Sequence, residues 1–164
     1  MADQPLTSKA LHPSAQRVAA ALAERGVLGP VHQFEVSTKS SADAAAALDC
    51  EIGAIASCLV FMLDDEPIVV VKSGANRVDT KQLAHVARGV GVRQATPDEV
   101  RAATGQPIGG VSPVGWPVAL RVFIDDTLGG YERVWSACGT PNAVFATTYD
   151  ELVRLTEATP LTLH

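Results

Sequence analysis

Apolar positions along this chain follow two different periods, and the switches between them outline the secondary structure. Ala15, Val18, Ala19 and Leu22 fall at i, i+3, i+4 and i+7, one face of a helix, and Gly26 supplies its stop. Thr96-Pro97-Asp98-Glu99 spells a capping box with proline at the first helical position, and Gly105 ends the segment. Asp79 with Gln82 makes a second box, flanked by Val78 and Leu83 as a hydrophobic staple, which predicts a helix from about Asp79 to Arg88. Thr148 with Glu151 repeats the pattern, with Leu152 and Leu155 on one face of a last helix. Elsewhere the apolar runs are short and continuous. Ile55 to Leu63 and Pro67 to Lys72, separated only by Asp64-Asp65-Glu66, predict an antiparallel hairpin. Val31 to Val36, Val90 to Gln94, Val118 to Asp125 and Ala143 to Thr147 predict further strands. Helices and strands do not alternate strictly, so the pattern predicts one α+β domain over residues 1–164, a mixed β-sheet surrounded by helices.

Composition narrows the class. With 164 residues, 47% hydrophobic and 19% charged, the chain suits one domain with a sizeable core. The net charge is −5, from 13 basic and 18 acidic residues, and the basic residues are scattered. That argues against a DNA-coating or RNA-coating surface but is compatible with a small patch reading one end of an RNA. Residues 1–12 read as a loose arm without a secretory signal, and Ala54 to Leu63 is far short of the ~20 residues that span a bilayer. A cytoplasmic protein without a membrane partner is expected. Cys50, Cys58 and Cys138 are odd in number and lack C-x-x-C spacing, which predicts small buried hydrophobes in a reducing compartment and no metal site. The zincin, P-loop and dinucleotide signatures are absent and the four histidines are dispersed, so no cofactor is expected.

The candidate chemistry lies in loops. Gly105 to Gly115 holds four glycines and two prolines in eleven residues, the composition of a shaped loop whose backbone amides can meet a carbonyl or an oxyanion. Ser112 within it has the spacing G-x-S-x-x-G and no identifiable histidine partner, which rejects a nucleophile elbow. Lys72 to Asp79 is a strand end, a Gly-centred turn and a helix start that can place Lys72 and Arg77 near a phosphate, and Asp125 closes an apolar strand. Cys58 sits in an apolar run with no neighbouring base, which predicts packing and not catalysis.

Taken together, these segments resemble the YbaK/EbsC family, the freestanding aminoacyl-tRNA editing domains related to the insertion domain of bacterial prolyl-tRNA synthetase. The resemblance runs from about Phe34 to Leu155. Its carriers are the helix Ala42 to Leu48 followed by Ile55 to Phe61, Ser73 to Asp79, Thr104-Gly105, Gly109 to Gly115, Phe123 to Asp125 and Gly139 to Phe145. It implies hydrolysis of the ester joining a wrong amino acid to a tRNA 3′ end, with water attack assisted by the terminal ribose hydroxyl. The partners implied are the tRNA acceptor end and an aminoacyl-tRNA synthetase. Gly109, Gly110, Val111, Ser112 and Pro113 match the family's G-x-x-x-P loop and are the implied catalytic segment. Ser57, Lys72, Ser73, Gly74, Asn76, Asp125 and Asn142 are the implied substrate-binding set.

One departure stands out: Ser57 occupies the position where many members carry a lysine, in a pattern like I-x-K-S-L. Lys72, Lys39 and Arg77 are candidate replacements for that cation, Lys72 foremost because its strand is predicted to pair with the one bearing Ser57. The missing lysine also opens a second reading, a non-catalytic module that binds aminoacyl-tRNA or a synthetase. Pocket size is expected to depend on which of Ile55, Leu59, Val111, Phe123 and Phe145 point inward. Alanine at Gly109 or Gly110 is expected to reduce hydrolysis far more than folding.

Overall fold

A computed structural model describes residues 11–27, 29–34 and 40–163. In chain order the elements are α1 (Pro13–Glu24), β1 (Val31–Gln33), α2 (Ser41–Leu48), β2 (Ile55–Leu63), β3 (Glu66–Ser73), α3 (Thr80–Val86), β4 (Val92–Gln94) and α4 (Pro97–Thr104). They continue with β5 (Arg121–Asp125), β6 (Val134–Ala137), β7 (Ala143–Thr147), α5 (Tyr149–Thr156) and β8 (Thr159–Leu161), with 3-10 turns at Ile52–Ala54 and Asp126–Gly130. The strands form one sheet in the order β1-β7-β6-β2-β3-β5-β8, with β4 pairing β2 off this path. β2 pairs antiparallel with β3 and β4 and parallel with β6, while β3–β5 and β5–β8 are parallel. This is the mixed sheet of the α+β expectation.

The predicted hairpin is the centre of the sheet, with a tighter turn than the sequence reading gave it. Asp64 and Asp65 both have positive φ, 48° and 69°, the backbone of a two-residue turn whose twist matches the strands. Glu66 therefore pairs with Leu63 as the first residue of β3. The Asp64 carboxylate accepts from the amides of Gly91, at 2.8 Å, and Val90, at 3.1 Å, which hold its carboxyl below its ordinary range. These contacts tie the hairpin tip to the segment leading into β4.

The helix caps were legible in different degrees. At α4 both halves of the box form: Glu99 donates its amide to Thr96 Oγ1 and accepts the Thr96 amide. Arg93 also bonds both Glu99 carboxylate oxygens at 2.8 Å. Thr96→Ala is expected to cost about 1 kcal/mol and to lower the melting temperature by roughly 2–4 °C in a thermal scan. At α3, Asp79 caps as predicted but Gln82 donates to the Thr162 carbonyl instead of reaching back. At α5, Glu151 accepts from Thr147 Oγ1 at 2.6 Å. At the described end of the expected loose arm Leu11 is buried and His12 Nδ1 accepts the Ser14 amide; residues 1–10 lie outside the described residues.

Both faces of the central strands are covered, which explains their continuous apolar runs. On one face Val69, Val71, Val122 and Ile124 pack with Val100 of α4 and Leu152 of α5, and α1 packs beside them on Ala143 and Phe145. On the other, Phe61, Ile68, Val70 and Phe123 meet Leu83 of α3, while Ile55, Trp135 and Val144 meet Ala44 and Leu48 of α2. Cys58 and Cys138 are buried and Cys50 is half-buried, all three as free thiols. No described helix is long and apolar enough to cross a membrane.

Candidate functional site

The sheet has an opening beside β2. β3 runs along one edge of β2 for its whole length, but the other edge meets β6 only at Ile55 and Ala56 and β4 only from Phe61 to Leu63. Along β2 the residues facing α2 and α3 are Ile55, Ser57, Leu59 and Phe61, given the two-residue period of a strand. Of these, Ile55 and Phe61 are buried while Ser57 and Leu59 are only half-buried, because they face a cavity of about 320 Å³. Ser40, Ser41 and Ala44 of the α2 start line one side, Trp135 and Ala137 of β6 another, and Gly109 and Val111 reach it from the Gly-rich loop.

That loop is stapled from inside by Gln106, a residue the sequence reading passed over. Its buried side chain accepts the Ser112 amide at 2.7 Å and donates to the Val114 carbonyl at 2.9 Å. Ser112 Oγ donates to the same carbonyl at 2.7 Å, and Trp116 Nε1 donates to the Ser112 carbonyl at 2.9 Å. Gly110 is buried against the Thr140–Pro141 backbone, and its amide donates to Pro107 at 2.9 Å. Of the five loop residues predicted to be catalytic, Gly109 and Val111 line the cavity, whereas Gly110, Ser112 and Pro113 are buried and hold the loop's shape. The amides of Gly109 and Val111, which flank the bonded Gly110 amide, have no hydrogen-bond partner among the described residues.

Ser57 and Lys72 are directly opposed across the hairpin, and both line the cavity. Ser57 Oγ lies 3.4 Å from Ser41 Oγ. The Lys72 ammonium donates to the carbonyls of Ser73, at 3.0 Å, and Asn76, at 2.8 Å. Burial pushes its pKa down, the Asp125 carboxylate draws it back up, and Arg77 lowers it again, for a net decrease. Lys39 lies outside the described residues.

The rest of the predicted binding set supports this wall from behind. Asp125 is fully buried and accepts from the Ser73 amide at 3.0 Å, Asn76 Nδ2 at 2.9 Å, the Thr127 amide at 3.0 Å and Thr127 Oγ1 at 2.7 Å. Burial raises its pKa, but the bonds from Asn76, Thr127 and the two amides outweigh that and leave the carboxyl below its ordinary range. Ser73 is buried, with its hydroxyl donating to Gly53, and a Cβ at Gly74 would lie 2.4 Å from the Ile52 carbonyl oxygen. Asn142 accepts the Phe34 amide at its carbonyl and does not line the cavity, where its neighbour Pro141 does. Phe123 and Phe145 belong to the core, so Ile55, Leu59 and Val111 are the predicted size-setting residues that reach the cavity. Cys58 lies at the cavity floor, but burial pushes its thiol up to about 12 against a weaker opposing bond to Ser136. It is a neutral thiol, not a nucleophile.

Comparison with known proteins places these features in context. The family model described as the aminoacyl-tRNA editing domain matches residues 35–155. The chain is 32% identical over 123 residues to Uncharacterized protein YwhH of Bacillus subtilis (strain 168), covering 74% of this chain and 78% of that one. It is 31% identical over 118 residues, 72% of its own length, to Proline--tRNA ligase of Nitratidesulfovibrio vulgaris (strain DP4), and spans only 19% of that protein. A solved structure described as a candidate trans-editing enzyme for prolyl tRNA synthetase superposes with a TM-score of 0.89 at 42% identity, covering 94% of this chain and 98% of that one.

Proposed function

Because this chain belongs to the aminoacyl-tRNA editing domain family, we propose that it is a trans-acting deacylase, hydrolysing the ester that joins a wrong amino acid to the 3′ end of a tRNA. The observation that carries this reading is the chemistry of the cavity wall. The polar side chains that line it among the described residues are Ser40, Ser41, Ser57, Lys72, Trp135 and the buried thiol Cys58, with neither an imidazole nor a carboxylate among them. Such a wall can orient an ester and stabilise charge but offers no protein base. A ribose hydroxyl of the substrate, next to the scissile ester, fills that role by assisting the attacking water.

The roles follow from position. The unpartnered amides of Gly109 and Val111 meet the carbonyl oxygen as it gains charge, each contributing on the order of 3 kcal/mol to lowering the barrier. Lys72, with one ammonium proton left after its two carbonyl bonds, faces the anionic acceptor end, and Ser57 and Ser41 offer hydroxyls to the terminal sugar. The apolar surfaces of Ala44, Ala137 and Val144 receive the amino-acid moiety. A prolyl-tRNA synthetase is the synthetase partner that the relatives suggest.

The test is release of amino acid from a panel of alanyl-, cysteinyl-, seryl- and threonyl-tRNAs, on cognate and mismatched tRNAs, by wild type and Ala137→Leu. Leucine at this half-buried wall position occupies cavity space without touching the loop staples. The expected result is selective release by wild type and a loss of at least about tenfold in kcat/KM in the variant at an unchanged melting temperature. Binding without release by wild type on every member of the panel would instead establish the non-catalytic binding module that the serine at position 57 suggests.

A further inference from the structure

Lysine 72 is the best-placed cation in the cavity, yet an ammonium on a four-carbon stem at a strand end ordinarily samples many rotamers in water. Here it donates to the carbonyls of Ser73 and Asn76, and what holds those carbonyls lies on the far side of the wall. We propose that Asp125 is a positioning residue: through the Ser73 amide and the Asn76 side chain it fixes the turn whose two carbonyls hold the Lys72 ammonium at the cavity. The inference rests on the reading of Lys72 as the substrate-facing cation.

The geometry is a closed set of bonds. The Ser73 amide and Asn76 Nδ2 converge on one oxygen of Asp125, Oδ2, at 3.0 and 2.9 Å. The other oxygen, Oδ1, is held by the Thr127 amide and hydroxyl at 3.0 and 2.7 Å, and Thr127 Oγ1 accepts a second bond from Asn76 Nδ2 at 3.0 Å. The Asn76 amide returns to the Ser73 carbonyl at 3.1 Å, closing the turn. The two residues anchored by Asp125 are the two whose carbonyls receive the Lys72 protons. Asp125 thus reaches Lys72 through the backbone and without an ion pair: among the described residues, the salt bridges are Arg93–Glu99 and Arg154–Glu151. Four neutral donors satisfy the carboxylate, so the lysine's charge is not consumed by it and stays available to an anionic ligand. The Asp125 field also opposes the loss of the lysine's proton that burial favours.

Two readouts test this, and the first needs no catalysis. The chain has only four lysines, so ¹³Cε-labelled lysine gives a simple spectrum in which a held Lys72 shows two separate Hε resonances. In folded Asn76→Ala, and in Asp125→Asn where it folds, these are expected to merge to the averaged signal of a free lysine; unchanged Lys72 signals in Asn76→Ala would overturn the proposal. The second readout is a double-mutant cycle on deacylation. Asn76→Ala is expected to lower kcat/KM about tenfold alone and to have no further effect in a Lys72→Met background. Losses that multiply would mean that the network acts on the fold and not through Lys72. If Lys72→Met itself left kcat/KM unchanged, the positioning role would fall with the lysine's. Absence of any deacylation would sink the proposed reaction, and the resonances would still decide whether the clamp exists.

Discussion

Gly110→Ala is expected to cost about 3 kcal/mol of folding stability, lowering the melting temperature by roughly 6–12 °C, together with its effect on hydrolysis. A Cβ built there lies 2.6 Å from the Thr140 carbonyl carbon, 2.7 Å from its Cα and 2.9 Å from the Pro141 nitrogen. All three are backbone atoms of the turn leading into β7 and cannot rotate aside. Accommodating the methyl means separating the loop from that turn, and Gly109 and Pro141 then no longer share one cavity wall. These contacts argue against the expectation that alanine at this position spares folding. Gly109→Ala behaves differently: the residue is exposed, its Cβ would find only Pro141 Cγ at 3.9 Å, and its cost is the left-handed backbone, φ +83°, worth about 1–2 kcal/mol. Thermal scans of the two variants check the contrast, and a Gly110→Ala melting temperature equal to that of Gly109→Ala would refute the packing argument.

What the sequence disclosed about the site depended on how local each feature was. Pairing of Ser57 with Lys72 was within reach because a hairpin's register follows from its turn, but the reading of Asp64 to Glu66 as a three-residue turn would have set Ser73 opposite Ser57. Two consecutive aspartates in the left-handed region are what shorten the turn and bring the lysine into place. The loop was legible from its glycines and prolines, yet its internal staple was not, because nothing near Gln106 in sequence signals that its amide will be buried against Ser112 and Val114.

The opening beside β2 could not be read at all. It exists because two distant strands stop short of each other along one edge, and one of them, β6, is four residues long and went unpredicted. With β6 missing, Trp135 and Ala137 were invisible as wall residues. β8 was missed for a related reason, since Thr159-Pro160-Leu161 has neither length nor alternation, and its proline is tolerated on an edge strand. Conversely, Val118 was counted into β5 on hydrophobicity alone, but β5 begins at Arg121 and Val118 is 64% exposed. The resemblance named segments without separating their roles, because residues that line a cavity and residues that hold the lining ones recur in the same motifs. Ser73, Asn76 and Asp125 do not line the cavity, and Asp125 accepts from the other two.

Replacing Asp125 by alanine is expected to be the most damaging single change, costing about 3–5 kcal/mol and moving the urea midpoint strongly downward at neutral pH. The substitution strands the Ser73 amide, Asn76 Nδ2 and both Thr127 donors around a buried void. Asp125→Asn is milder, since an amide oxygen still accepts, and it isolates the charge. The folded-state pKa of Asp125 is depressed, so its ionisation contributes stability that is complete above the unfolded pKa of about 3.9 and is lost as pH falls through the lower folded value. Wild type therefore approaches the Asn variant on acidification below about pH 4, while the two differ by a constant amount from pH 5 to 7. Asp64 and Glu99, the latter titrating at about 2, are also depressed, but they are present in both proteins and cancel in the difference. Urea unfolding of the pair at intervals from pH 7 to 3 gives this difference curve directly. A gap that stayed constant down to pH 3, or widened, would mean that Asp125 is not the ionised hub of the network.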